Sequence, residues 1–166
     1  HTTVGELLKQ ADLAMYQAKT AGRDTLRFFD PDMQAVVTAR AGLETDLRSA
    51  LMQEEFLLHF QPQIHQSGRC VGVEALVRWA HPQRGMVPPA QFIPLAEETG
   101  LILPLGRWVL HTACKLLASW QSDPALSHLT MAVNVSSRQF RHASFVDDVA
   151  RVLAITGAPS AQLKLE

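Results

Sequence analysis

Apolar residues recur at helical spacing at the start of the chain: Val4, Leu7, Leu8, Ala11, Ala14, Met15 and Ala18. This predicts an amphipathic helix with Gly22 as its stop. Thr25 to Phe29 then reads as a short strand closed by Asp30-Pro31. The unit is too small to bury a core alone, so it is expected to be the tail of an upstream α/β domain. A second helical stretch, 33–53, carries the stripe Val36, Val37, Leu43, Leu47, Ala50 and Leu51, with Arg40, Glu44, Asp46 and Arg48 mostly off it. It reads as a connecting helix.

From Phe56 the period changes to two. Phe56, Leu58 and Phe60 alternate with Leu57, His59 and Gln61, and the turn signal Gln66-Ser67-Gly68-Arg69 leads into a second run, Cys70 to Trp79. The pair predicts an antiparallel hairpin. A loop rich in Pro and Gly follows (Pro82, Gly85, Pro88, Pro89), then a short helix 90–99 and a longer one from about Leu105 to Trp120. Leu105, Trp108, Val109, Ala113, Leu116, Leu117 and Trp120 share one face of the longer helix. Strand 129–135, helix 144–156 ended by Gly157, and the start of a strand at 163–166 complete the pattern. Helix and strand alternate after the hairpin, which implies parallel strands joined by crossovers, in an α/β sheet or barrel.

Alternation assigns each strand two faces. The packing face holds Phe56, Leu58 and Phe60, then Val71, Val73, Ala75, Val77 and Trp79, then Leu129, Met131, Val133 and Val135, and finally Leu163 and Leu165. The opposite face holds His59, Gln61 and Gln63, then Gly72, Glu74, Leu76 and Arg78, then Thr130, Ala132, Asn134 and Ser136, and finally Lys164 and Glu166. Burying two carboxylates, an amide and a guanidinium without partners is costly. A divalent cation held by Glu74, Asn134 and Glu166 relieves that cost, and their hard oxygens suit Mg²⁺ or Mn²⁺ rather than zinc. Arg78, on the same face as Glu74, has the planar fork of donors that holds a phosphate. Spacing alone also allows a structural Glu74–Arg78 ion pair, a turn or capping role for Asn134, and a helix cap at Ser136 and Ser137.

Composition changes the picture little. Of 166 residues, 47% are hydrophobic and 19% charged, a globular mixture. The formal net charge of -1 gives no basic excess for duplex nucleic acid, so local charge must attract any anionic ligand. No apolar run is long enough to span a bilayer, and residues 1–20 do not read as a signal peptide. Cys70 and Cys114 lack zinc-ligand partners and read as free thiols in a reducing, cytoplasmic compartment. The seven histidines form no close ligand pair. With no initiating methionine and an end just after a strand-like run, the chain reads as a piece of a longer polypeptide, one with room for an upstream membrane or sensory domain.

Four blocks carry a specific resemblance: HFQPQI (59–64), GVEALVRWAHPQRGMVPPAQFIPLAEETGLI (72–102), NVSSRQF (134–140) and LKLE (163–166). From about Leu43 to Glu166 the chain closely resembles the EAL-domain family of cyclic-di-GMP phosphodiesterases. Residues 11–29, ADLAMYQAKTAGRDTLRFF, resemble the C-terminal end of a GGDEF diguanylate cyclase domain, without the GGDEF loop itself. The resemblance implies a division into 1–30 (cyclase tail), 31–53 (connecting helix) and 54–166 (front half of the EAL domain). It implies a partial TIM-like (β/α) barrel with an antiparallel first strand. It further implies hydrolysis of cyclic-di-GMP to linear pGpG with Mg²⁺ or Mn²⁺. Glu74, Asn134 and Glu166 correspond to metal ligands, Glu74 being catalytic through the metal, and Gln61, Leu76 and Arg78 to substrate contacts. Lys164 departs from the family, where an acidic residue is common. A complete (β/α)₈ barrel needs roughly 250 residues, and the family's later glutamate, aspartate pair and lysine lie beyond this chain. These 166 residues alone are therefore expected not to turn over substrate. The competing readings are a non-catalytic cyclic-di-GMP receptor or protein-interaction module, and a homodimer formed through helix 33–53.

Overall fold

The structure is a computed structural model that describes residues 3–20, 22 and 24–166. It divides into two compact units, 1–45 and 46–166.

The first unit holds helix α1 (Val4–Thr20) and most of helix α2 (Pro31–Ala50). Ala14 is buried, but Val4, Leu7, Leu8 and Met15 on the expected apolar stripe are exposed. Residues 25–30 are irregular rather than the expected strand, and Leu26 and Phe28 are 78% and 79% exposed. A strand is stabilised by a paired ladder, and no neighbour pairs with this segment among the described residues. Residues 21 and 23 of the 11–29 block lie outside the described residues. Asp30-Pro31 opens α2 instead of closing a strand: the Asp30 carboxylate accepts from the Asp32 N–H at 3.0 Å, and proline suits the first helical position.

The second unit is a mixed sheet with helices packed on one side. Strand β1 (Phe56–Ile64) runs antiparallel to β2 (Cys70–His81), with Phe56 opposite Trp79 and Gln61 opposite Glu74. Strand β4 (Thr130–Val133) is parallel to β2, and β5 (Leu163–Leu165) is parallel to β4. Between β2 and β4 the chain forms a short strand β3 (Gly85–Val87), then helices α3 (Pro89–Thr99) and α4 (Ile102–Ser119). Helices α5 (Ser137–Phe140) and α6 (Phe145–Thr156) connect β4 to β5. Pro89 starts α3, and Gly100 and Gly157 close α3 and α6 in the left-handed conformation.

Strand β3 replaces part of the expected loop. Gly85 has φ +70°, which lets the chain return tightly so that Trp79 faces Val87 and His81 faces Gly85. Because β3 pairs with 79–81 and β4 with 72–75 of β2, Leu76, Val77 and Arg78 have no ladder partner on that edge.

The packing face follows the alternation at the centre and loses it at the margins. Trp79, Phe92 and Leu105 are fully or nearly fully buried, with Phe56, Val109, Leu117, Met131 and Val133 around them. The Trp79 ring meets Phe92 edge-on at 5.6 Å and Phe56 at 5.8 Å, geometries that aromatic pairs favour. Phe60, Val71 and Leu165, expected to pack, are 38%, 38% and 41% exposed. They lie toward strand ends or on an edge strand. Phe60 lines an open groove of about 480 Å³ with Trp108 and Leu116. Helix α4 buries a broader face than the stripe predicts, including Ile102, Leu110 and Cys114.

Candidate functional site

Strand register places the candidate residues in rows across the polar face. In one row Gln61 faces Glu74, Glu74 faces Ala132, and Ala132 faces Lys164. His59 faces Leu76 one step on. The β4–β5 ladder continues past the regular strands, because Glu166 N–H donates to Val133 O at 3.0 Å and Val135 N–H to Glu166 O at 2.7 Å. Those two bonds set Glu166 beside Asn134. Register partners share a face of the sheet. Gln61, Glu74, Leu76, Asn134 and Glu166 therefore occupy two adjacent rows, with Asn134 and Glu166 just past the carboxyl ends of β4 and β5 and Glu74 and Leu76 within β2.

One side-chain bond joins two of them: Asn134 Nδ2 donates to Glu74 Oε1 at 2.6 Å. Glu74 is half-buried, while Asn134 and Glu166 are exposed. Arg78 lies four residues beyond Glu74, and its Nη1 donates to the Val77 carbonyl at 2.9 Å. The structural Glu74–Arg78 ion pair is thus not formed. The capping role falls to Ser136, whose hydroxyl accepts from Gln139 N–H at 3.1 Å at the start of α5, so Asn134 is left to engage Glu74.

Among the described residues, no three His, Cys, Asp or Glu side chains form a metal cluster. The donor set available is two carboxylates and one amide oxygen, on the hard-oxygen side of metal chemistry. It fits Mg²⁺ or Mn²⁺. The bond to Glu74 uses the Asn134 nitrogen, so Oδ1 takes no part in it.

Beside the site, a cavity of about 310 Å³ opens where β2 lacks a ladder partner. Its lining is mostly apolar, with Val77, Ile93, Leu105 and Val109 toward helices α3 and α4, and Arg78 and Asn134 also border it. Sequence reading missed Gln139, one of only two buried polar or charged residues among those described. The available signal was the Ser-x-x-Gln pattern at Ser136 and Gln139, a capping box whose reciprocal bond, Ser136 N–H to Gln139 Oε1, measures 3.2 Å.

Residues 44–166 match the family described as the EAL domain. The chain is 44% identical over 162 residues to the bifunctional diguanylate cyclase/cyclic di-GMP phosphodiesterase MucR of Pseudomonas aeruginosa, covering 97% of this chain and 24% of that protein. It is 42% identical over 147 residues to the cyclic di-GMP phosphodiesterase PdeR of Escherichia coli, covering 89% and 22% respectively. The chain therefore spans about a quarter of the length of these relatives. Among solved structures, the MucR phosphodiesterase in complex with c-di-GMP superposes with a TM-score of 0.72 at 43% identity, over 75% of this chain and 50% of that one. The FimX EAL domain from Pseudomonas aeruginosa bound to c-di-GMP gives a TM-score of 0.64 at 31% identity, over 73% and 48%. The match over residues 44–166 and these likenesses show that the chain belongs to the EAL domain family.

Proposed function

We propose that residues 54–166 are the front half of a domain that hydrolyses cyclic-di-GMP to linear pGpG, and that Glu74, Asn134 and Glu166 hold Mg²⁺ or Mn²⁺ there. The observation that carries the reading is the 2.6 Å Asn134–Glu74 bond, which brings hard oxygen donors from two adjacent parallel strands to one point. Ligands in parallel α/β sheets bind at such strand ends. A bound divalent cation would polarise a phosphoryl oxygen and supply an activated water. The chain's own residues would bind and orient. Arg78, beside the cavity, would hold a phosphate through its planar fork. Leu76 and Gln61 would contact the dinucleotide on either side of Glu74.

Residues 1–30 are proposed as the tail of a GGDEF domain and 31–53 as the connecting helix. The MucR likeness supports this, since it extends over nearly the whole chain. The barrel is proposed to start with an antiparallel strand, β1, and to need the remainder of the domain, so the 166 residues alone are proposed to be inactive. Among the described residues no helix is long and apolar enough to cross a membrane.

The test is turnover of cyclic-di-GMP by the full-length parent protein with Mn²⁺, beside its Glu74→Ala variant. Loss of at least a hundredfold in turnover with an unchanged melting temperature is expected. Full activity in the variant removes Glu74 from the site. Measurable turnover by the isolated 166 residues overturns the proposal that they are incomplete.

A further inference from the structure

Asn134 stands on a turn whose geometry is fixed from outside the site. It is exposed, so packing does not hold its side chain; its bond to Glu74 and the backbone that carries it set its position. That backbone is tied at two consecutive residues. Val135 N–H donates to the Glu166 carbonyl, just past β5. Ser136 is locked to Gln139 by the reciprocal pair of bonds at 3.2 and 3.1 Å.

Gln139 is itself seated. A Cβ added at Gly106 of α4 would overlap the Gln139 amide, 2.5 Å from its Cδ, so the glycine forms the notch that the amide fills. Gly106 lies inside α4, where its conformational freedom is a cost relative to alanine. Close approach of Gln139 gives a physical reason for a glycine there. On the other side of α5, the Arg138 guanidinium donates to the Glu97 carbonyl and, at 3.3 Å, to the Glu98 carbonyl at the end of α3. A cation on the last carbonyls of a helix is favourably placed. The one-turn helix α5 is thereby pinned to α3 and α4.

We infer that Gln139, seated in the Gly106 notch, is the positioning residue for Asn134, and that the notch sets the distance between Asn134 and Glu74. The inference rests on the proposed metal-binding role of Glu74 and Asn134. Outer partners that orient a metal ligand typically change metal affinity by 10–100-fold when lost. Gln139→Leu removes the Oε1 acceptor for Ser136 N–H. Gly106→Ala ejects the amide without changing its chemistry, and on helix propensity alone it favours α4.

The test is direct Mn²⁺ binding to the full-length parent protein, read as free Mn²⁺ by electron paramagnetic resonance, with Glu74→Ala as the baseline lacking the site. Circular dichroism and melting temperature report folding of each variant. Gln139→Leu and Gly106→Ala are each expected to weaken Mn²⁺ binding at the Glu74 site by about tenfold or more. Neither should add further loss in an Asn134→Ala background. If Asn134→Ala weakens binding while Gln139→Leu and Gly106→Ala leave it unchanged, or weaken it equally in the Asn134→Ala background, the positioning role is overturned and the metal site stands. If Glu74→Ala and Asn134→Ala leave Mn²⁺ binding unchanged, the metal reading itself falls and the positioning role with it.

Discussion

Gly72 tests whether the site strands are held by close contact rather than by backbone conformation. It is buried on β2, opposite Thr130 on β4 and two residues before Glu74. Its φ is outside the left-handed range, so alanine is conformationally allowed. An added Cβ, however, would overlap Thr130 Oγ1 and lie 2.7 Å from the Thr130 carbonyl oxygen. Two effects oppose each other. Replacing glycine stiffens the unfolded chain, a gain of about 0.4–1 kcal/mol where the native site accepts the side chain. Forcing an extra carbon into a filled site costs about 1–3 kcal/mol. The contact wins, leaving a net loss of about 1–2 kcal/mol. The assay is hydrogen exchange of the β2 amides from Val73 to Ala75 in the full-length parent, which reads local opening without assuming one transition for the whole chain. Exchange is expected to accelerate about tenfold, the equivalent of about 1.4 kcal/mol. Thr130→Ala in the same molecule should restore part of the protection. It removes the hydroxyl, which bonds the Val71 carbonyl at 3.3 Å, but leaves the carbonyl oxygen in place. Equal or slower exchange in Gly72→Ala alone would refute the close-contact reasoning.

Trp79→Phe keeps a ring in the aromatic core but removes the indole N–H that donates to Glu55 Oε2 at 2.8 Å. A hydrogen bond to a charged group is worth about 1.5–3 kcal/mol, so the melting temperature should fall, and Glu55→Gln should cost little more in that background. Cys114 is fully buried, and desolvation pushes its thiol up to about 11. The unfolded chain releases that proton near its ordinary value of 9.0. Cys114 therefore makes stability fall as pH rises from about 9 to about 11, and Cys114→Ala should flatten denaturation midpoints across that window.

Much of the candidate site was legible because a strand's period is two. Once Glu74 and Val73 are assigned to opposite faces, Leu76 and Arg78 follow Glu74, and the same count on β4 and β5 selects Asn134 and Glu166. Register between strands is long-range and did not follow from counting. Only the pairing shows that Asn134 reaches Glu74 and that Arg78 turns to its own backbone. The errors share one physical cause. Thr25 to Phe29 has strand-like residues but no ladder partner among those described, and 85–87 lies in a Pro- and Gly-rich stretch that becomes a strand because β2 extends far enough to pair with it. Phe60 and Leu165 have the right parity but stay partly exposed, Phe60 on the edge strand and Leu165 at the end of β5. Gln139 escaped because its significance depends on Gly106, a glycine that propensity alone marks as a weak point in a helix.

Charge placement along β2 explains why an arginine on the same face as Glu74 does not quench it. A strand advances about 3.3 Å per residue, so four residues place the Arg78 backbone about 13 Å from that of Glu74. Had the guanidinium stood at Leu76, one row away, it would have paired with the carboxylate and competed with any metal. Lys164 shares Glu74's row but stands two strands across, about 10 Å at the backbone with strands near 4.8 Å apart. The nearest partner on β4 is instead the Asn134 amide, which steadies the carboxylate without cancelling its charge. Glu74 is thus tied to a neutral amide, while the Arg78 guanidinium turns to its own backbone. Arg78 sits farther along the strand, where it lines the 310 Å³ cavity.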